Sequence, residues 1–123
     1  MELKYFFDSY AIIEIIMGNK NYEKFKDVQI VTSTIHIAEI YYFLLRTYNK
    51  QTAEYWMKNL DIDLMNIIKL KNSIDAMDFK FKHKKEKLSY ADCLGYVLAK
   101  ECGMKFLTGD SKFKDKENVV WVK

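Results

Sequence analysis

The chain is predicted to fold as an α/β three-layer sandwich around a central, mainly parallel sheet of four or five strands. Three observations predict it. Short apolar runs of strand length alternate with longer helical stretches along the whole chain. The helical stretches repeat their apolar residues at helical spacing. Cap residues stand where one kind of run gives way to the other, among them Asp8-Ser9, Thr32-Ser33-Thr34, Ser89, Gly18 and Gly103. With 123 residues, half of them hydrophobic, residues 1–123 suit one domain with one core.

The elements follow in order. Leu3 to Phe7 is an apolar and aromatic run, hence a buried strand, and Asp8-Ser9 ends it. Tyr10 to Met17 is a helix that is apolar except at Glu14, and Gly18 closes it. Asn21 to Lys26 is a short polar helix or turn, and Val28 to Val31 a second strand. Ile35 to Tyr48 is helical, with a stripe of Ile37, Ile40, Tyr41, Leu44, Leu45 and Tyr48. Gln51 to Asn59 continues as another helix, Ile62 to Met65 is a third strand, and Ile67 to about Phe81 is again helical. Ser89 caps a helix carrying Leu94, Leu98 and Cys102, and Gly103 stops it. Met104 to Leu107 and Val119 to Val122 complete the strands. Gly95 and Ala99 share the face of Asp92, so that face is expected to approach a neighbour closely.

Composition narrows the function classes. A formal charge of +3 is mildly basic and compatible with a nucleic-acid partner. Cys93 and Cys102 lie roughly 13 Å apart along one helix, on opposite sides, and cannot bridge each other within it. They read as two core-like thiols of a reducing compartment. No signal peptide or membrane-length apolar run is seen, so the expected location is cytoplasmic, with no membrane partner.

Four acids carry the functional reading. Asp8 and Asp110 each follow a strand; Glu39 and Asp92 each lie near the start of a helix. In an open parallel sheet, chemistry collects at the carboxyl ends of the strands, so all four can face one crevice. Glu39 has Ile35, His36, Tyr42 and Phe43 at helical spacing, and a carboxylate buried alone there would be costly. Four carboxylates without a cysteine or histidine partner make a hard oxygen site suited to Mg²⁺ or Mn²⁺. Each acid also has a plainer reading. Asp8 can be a helix cap, Ser89-x-x-Asp92 a capping box and Asp110 a turn aspartate.

The order and setting of these acids resemble the PIN-domain ribonucleases, in particular the small VapC-type toxins of bacteria and archaea. The resemblance covers almost the whole chain and rests on four segments. These are FFDSYAII, TSTIHIAEIYYFLL, LSYADCLGYVLA, and Thr108 and Asp110 followed by Phe113. It implies a PIN-like fold and a metal-dependent endoribonuclease that hydrolyses phosphodiesters of single-stranded RNA. It carries the family's acids onto Asp8, Glu39, Asp92 and Asp110, and its hydroxyl positions onto Ser9 and Thr108. Asp8, Asp92 and Asp110 are expected as metal ligands, and Glu39 as a ligand or as the group orienting the attacking water. Ser9 and Thr108 would hold carboxylates or a bound water in place. Asp115 has no assigned role. The resemblance further implies a homodimer and, for a toxin, a cognate antitoxin covering the active site. The alternative is a PIN-like RNA-processing or non-catalytic RNA-binding domain without an antitoxin.

RNA calls for cations. Lys82, Lys84, Lys85 and Lys87 precede the Asp92 helix and could flank the crevice as a phosphate rail; the other reading is a solvated helix end. Lys112, Lys114 and Lys116 offer a second rim. Tyr10, Ile12, Ile13, Ile16, Tyr41, Tyr42, Tyr48, Tyr55 and Trp56 offer more apolar surface than one small sheet covers, which suggests an interface beside ordinary core burial. Two other enzyme classes lose on sequence. A haloacid-dehalogenase phosphatase needs an aspartate where Tyr10 stands, and a response-regulator receiver needs an acidic pair where Asp8 has only Ser9 beside it.

Overall fold

The computed structural model describes residues 3–65 and 68–123. Five strands form one all-parallel sheet: β1 (Tyr5–Phe7), β2 (Ile30–Thr32), β3 (Ile62–Leu64), β4 (Lys105–Thr108) and β5 (Val119–Trp121), in the order β3-β2-β1-β4-β5. Among the described residues five α-helices stand between the first four strands: α1 (Ser9–Ile16), α2 (Thr34–Thr47), α3 (Lys50–Asn59), α4 (Leu70–Lys82) and α5 (Tyr90–Glu101). A 3-10 helix at Lys20–Phe25 occupies the stretch read as a short polar helix or turn. The expected sandwich is therefore the observed one. The helix expected from Ile67 starts at Leu70 among the described residues; Ile67 itself lies outside them.

The alternation of strand side chains sorts the core into two layers. Phe6 and Phe106 point to one face and meet α4 and α5 through Ala76, Leu94 and Leu98. Phe7 and Leu107 point to the other and meet α1, α2 and α3 through Ile12, Ile40, Leu44 and Ala53. Both faces are covered, which is why the strands read as apolar runs rather than as alternating ones. Strands β1 and β2 start two residues later than expected, because Leu3 lies 54% exposed and Val28 accepts no ladder partner.

Helix ends follow local chemistry. Asp8 caps α1, Ser33 caps α2, and Ser89 with Asp92 forms a reciprocal capping box on α5. Gly95 permits the predicted close approach: a Cβ there would stand 2.8 Å from His36 Nε2 and 2.9 Å from Phe106 Cε1. Cys93 is buried, but Cys102 is exposed at the end of α5, so only one thiol is core-like. The turn that stops the helix faces solvent there. Of the aromatic surface expected to exceed the core, Ile12 is fully buried and Tyr10, Ile13, Ile16, Tyr41 and Trp56 pack partly against it. Tyr42, Tyr48 and Tyr55 remain exposed.

Candidate active site

The site lies where the strand order reverses, at the carboxyl ends of β1 and β4, where open parallel sheets place their crevice. The register decides its centre. Phe7 pairs with Leu107 and the Asp8 amide donates to the Leu107 carbonyl at 3.0 Å, so Asp8 and Thr108 emerge side by side. The Thr108 hydroxyl donates to Asp8 Oδ2 at 2.7 Å, and the Ser9 amide donates to Asp8 Oδ1 at 2.9 Å. Thr108 and Asp8 are fully or almost fully buried, at 0% and 3% exposure.

All four predicted acids line one crevice, together with Ser9, Tyr10, Ile13, Tyr42, Phe43 and Arg46. Each acid is held by a group of the chain. The Ser9 hydroxyl donates to Glu39 Oε1 at 2.6 Å, tying α1 to α2. The Ser89 amide donates to Asp92 Oδ2 at 2.9 Å, and the Lys112 amide donates to Asp110 Oδ1 at 3.0 Å. The plainer readings of Asp8, Asp92 and Asp110 as cap or turn residues hold in the structure. Capping through one oxygen leaves the other free: among the described residues, Glu39 Oε2, Asp92 Oδ1 and Asp110 Oδ2 have no hydrogen-bond donor. A cap here doubles as the clamp that aims a carboxylate.

Glu39 avoids the cost of lone burial through water and the Ser9 hydroxyl. It is exposed at the crevice mouth, because its face of α2 turns away from the sheet. The electrostatic burden falls on Asp8 instead. Burial, first of all, pushes its carboxyl up to about 7; the negative charges of Asp92 and Glu39 add to this, and the bonds from Thr108 and Ser9 oppose it. A carboxylate so placed calls for a cation.

The donor set fits a hard divalent ion. It consists of carboxylate oxygens with open lone pairs around one buried, destabilised charge. Among the described residues, no three potential ligands are drawn tightly enough together to grip one ion directly. The arrangement is an acidic crevice rather than a closed cage, and Mg²⁺ ordinarily binds through one or two carboxylates and keeps several waters.

His36 is a residue of the site that the sequence reading passed over. It is fully buried beneath Asp8. Its Nε2–H donates to the Ala91 carbonyl at 2.9 Å, and its Nδ1 accepts from the Ser33 hydroxyl at 2.7 Å. A carbonyl only accepts, so the tautomer follows from the partners. Nε2 stands 4.0 Å from Asp8 Oδ1, but this is no ion pair: burial pulls the imidazole down to about 4, leaving it neutral. Its role is to lock the start of α5, and hence Asp92, against α2. The sequence signal was the cap spacing Ser33-x-x-His36.

Arg46 also went unread. It is the sequence's single arginine, and it lines the acidic crevice. Lys82, Lys84, Lys85 and Lys87 do not. Lys82 borders a separate cavity of about 540 Å³ between α4 and α5, larger than the acidic crevice and lined by Asp75, Asp78 and Glu117 together with Lys100 and Lys116. Lys84 lies 5.0 Å from the Phe81 ring, and Lys87 gives its carbonyl to Lys112 Nζ at 3.3 Å. In the second rim Lys116 pairs with Glu86 at 2.6 Å. Asp115 is exposed and outside the crevice.

An all-parallel α/β sandwich, with Asp8 and Asp110 just past its central strands and Glu39 and Asp92 on helices facing the same crevice, defines a class of proteins. The family model for the PIN domain matches residues 5–119. The chain belongs to the PIN domain family. No curated protein matches it in sequence. Solved structures share the fold at low identity. A toxin–antitoxin complex from Klebsiella pneumoniae has 16% identity and a TM-score of 0.69, covering 95% of each chain. The sarcin-ricin-loop-cleaving toxin VapC20 of Mycobacterium tuberculosis has 14% identity and a TM-score of 0.76, over 93% of this chain and 95% of that one. A protein from Pyrobaculum aerophilum has 13% identity and a TM-score of 0.68, over 96% and 88%. Among the described residues, no helix is long and apolar enough to cross a membrane.

Proposed function

We propose that this chain is a metal-dependent endoribonuclease that hydrolyses single-stranded RNA as the toxin of a toxin–antitoxin pair. The observation that carries the proposal is the convergence of Asp8, Glu39, Asp92 and Asp110 on one crevice, with Asp8 buried and its carboxyl raised by that burial. Asp8, Asp92 and Asp110 would hold Mg²⁺ or Mn²⁺. When bound, the ion supplies charge neutralisation at the phosphoryl oxygens and a lower pKa for the attacking water. Thr108 keeps Asp8 turned into the crevice as an acceptor. Ser9 fixes Glu39 through Oε1, leaving Oε2 to accept a hydrogen bond from the water and orient its attack. The lysines at 82, 84, 85 and 87 serve as an outer field that draws the polyanion toward the crevice.

The test is a cleavage assay on a mixture of structured and unstructured RNAs. With Mn²⁺ or Mg²⁺ the unstructured RNAs are cut; with EDTA cutting stops, and restored metal restores it. Cutting that persists in EDTA removes the metal from the mechanism.

A partner role is supported by surface chemistry and by the neighbours. One solved neighbour is a toxin bound to its antitoxin, and a cognate antitoxin covering the crevice is the corresponding expectation here. Self-association finds its best support on α4 rather than on the tyrosines of α1 to α3. Leu70, Ile74, Met77 and Phe81 are exposed at 78%, 52%, 41% and 71%, in a stripe at heptad spacing. The expected state is a homodimer by light scattering, with Phe81→Glu together with Met77→Glu giving a monomer. A parent chain that is already monomeric at micromolar concentration removes the dimer.

A further inference from the structure

We infer that Tyr42, Phe43 and Arg46 form a strand-binding platform beside the acids, where Tyr42 stacks a base next to the scissile position and Arg46 takes the adjoining phosphate. The inference rests on the ribonuclease reading above and names how that same site holds its substrate.

Glu39, Tyr42, Phe43 and Arg46 fall at i, i+3, i+4 and i+7 of α2, on one face, and all four border the crevice. From Glu39 to Arg46 is about 10 Å along the helix axis. Tyr42 is 64% exposed at the mouth of the crevice, so its ring is available to an incoming base. Arg46 Cζ stands 5.5 Å from the centroid of the Tyr42 ring and 6.0 Å from that of Phe43, within cation–π range. Among the described residues no carboxylate reaches Arg46 at ion-pair distance, although four line the same crevice. A guanidinium held over rings and left unneutralised keeps its donors for an incoming anion, and phosphate matches its fork. Aromatic faces stack unpaired bases of any sequence, so the platform selects single strands over duplex.

The experiment uses the full chain carrying Asp8→Asn, so that RNA binds in Mg²⁺ without being consumed. The probes are unstructured oligoribonucleotides with 2-aminopurine at successive positions. Tyr42→Ala is expected to weaken binding about tenfold or more and to abolish the fluorescence quench at one position. Tyr42→Trp is expected to keep both. Arg46→Gln is expected to weaken binding and lower the slope of log K against log salt by about one, whereas Arg46→Lys keeps the slope. Melting temperatures of all four variants should stay at the parent value, since both side chains are exposed. Parent-like affinity, quench and slope in Tyr42→Ala and Arg46→Gln overturn the platform, while RNA cleavage by the chain with Asp8 intact leaves the ribonuclease reading standing. Tyr42→Trp binding as poorly as Tyr42→Ala overturns the stacking role. A chain with Asp8 intact that neither cuts nor binds RNA overturns the ribonuclease reading, and the platform falls with it.

Discussion

Asp8→Asn is expected to lower RNA cleavage by more than about a hundredfold, since even changes around the ligands of metal sites cost ten- to a hundredfold, and yet to raise the melting temperature of the metal-free protein at pH 8. The two effects have one cause. The folded chain holds the Asp8 carboxyl at about 7, against 3.8 for the free group. Between those values the folded state keeps a proton that the unfolded state has lost, so stability falls as pH rises through this window. The cost at pH 8 is at most about 4 kcal/mol, from about three pKa units at 1.36 kcal/mol each. Asparagine is neutral at every pH and escapes that cost, so the gain is present at pH 8 and absent near pH 4.

His36 supplies the opposite slope. Its pKa is pulled from 6.5 to about 4, so its contribution is complete above 6.5 and is lost as pH falls toward 4. In the parent the two slopes oppose each other between about 4 and 6.5; in Asp8→Asn the His36 slope stands alone. Melting curves from pH 4 to 8 in EDTA read both. Mg²⁺ should restore parent stability at pH 8 by binding the folded state, and should do little for Asp8→Asn. A variant that loses activity and also melts lower at pH 8 would show that Asp8 carries no such burden.

Gly109→Ala is expected to destabilise the fold by about 3 kcal/mol or more and to disable the site with it. A Cβ at Gly109 would fall well inside contact distance of both the Tyr10 ring and the Val122 carbonyl oxygen. Neither yields easily. The Val122 carbonyl accepts from the Tyr22 hydroxyl at 2.5 Å, and the Val122 amide donates to the Thr108 carbonyl at 2.9 Å. Tyr10 is the next residue but one after Asp8. Relief must therefore move the end of β5 or the start of α1, and Thr108 and Asp110 flank the clash. The melting temperature should drop by about 10 °C or more, with cleavage falling in the fraction that stays folded. Gly18→Ala is the contrast. There φ is +75° and nothing lies within 4 Å, so only backbone strain opposes the methyl. Equal melting of the two variants would mean that the close approach at Gly109 does not exist.

The order of strands and helices was legible because its signals are local. Caps such as Asp8, Ser33 and Ser89, stops such as Gly18 and Gly103, and the two hydrophobic periods each lie within a few residues. The positions of the four acids followed from the same reading, since strand ends and helix starts are defined along the chain. Which side of each helix meets the sheet was not legible. Glu39 stands among apolar neighbours in sequence, and only the packing of α2 shows it exposed beside Ser9. The apolar stripe of Leu70, Ile74, Met77 and Phe81 along α4 does not reveal in sequence that these residues face outward. His36 and Arg46 acquire meaning from Ala91 and from the crevice, which are remote in sequence. The bond between Thr108 and Asp8 joins residues a hundred positions apart. Periodicity and capping are properties of a short segment, whereas burial, charge and aim depend on strand order and register, which exist only once distant segments pair.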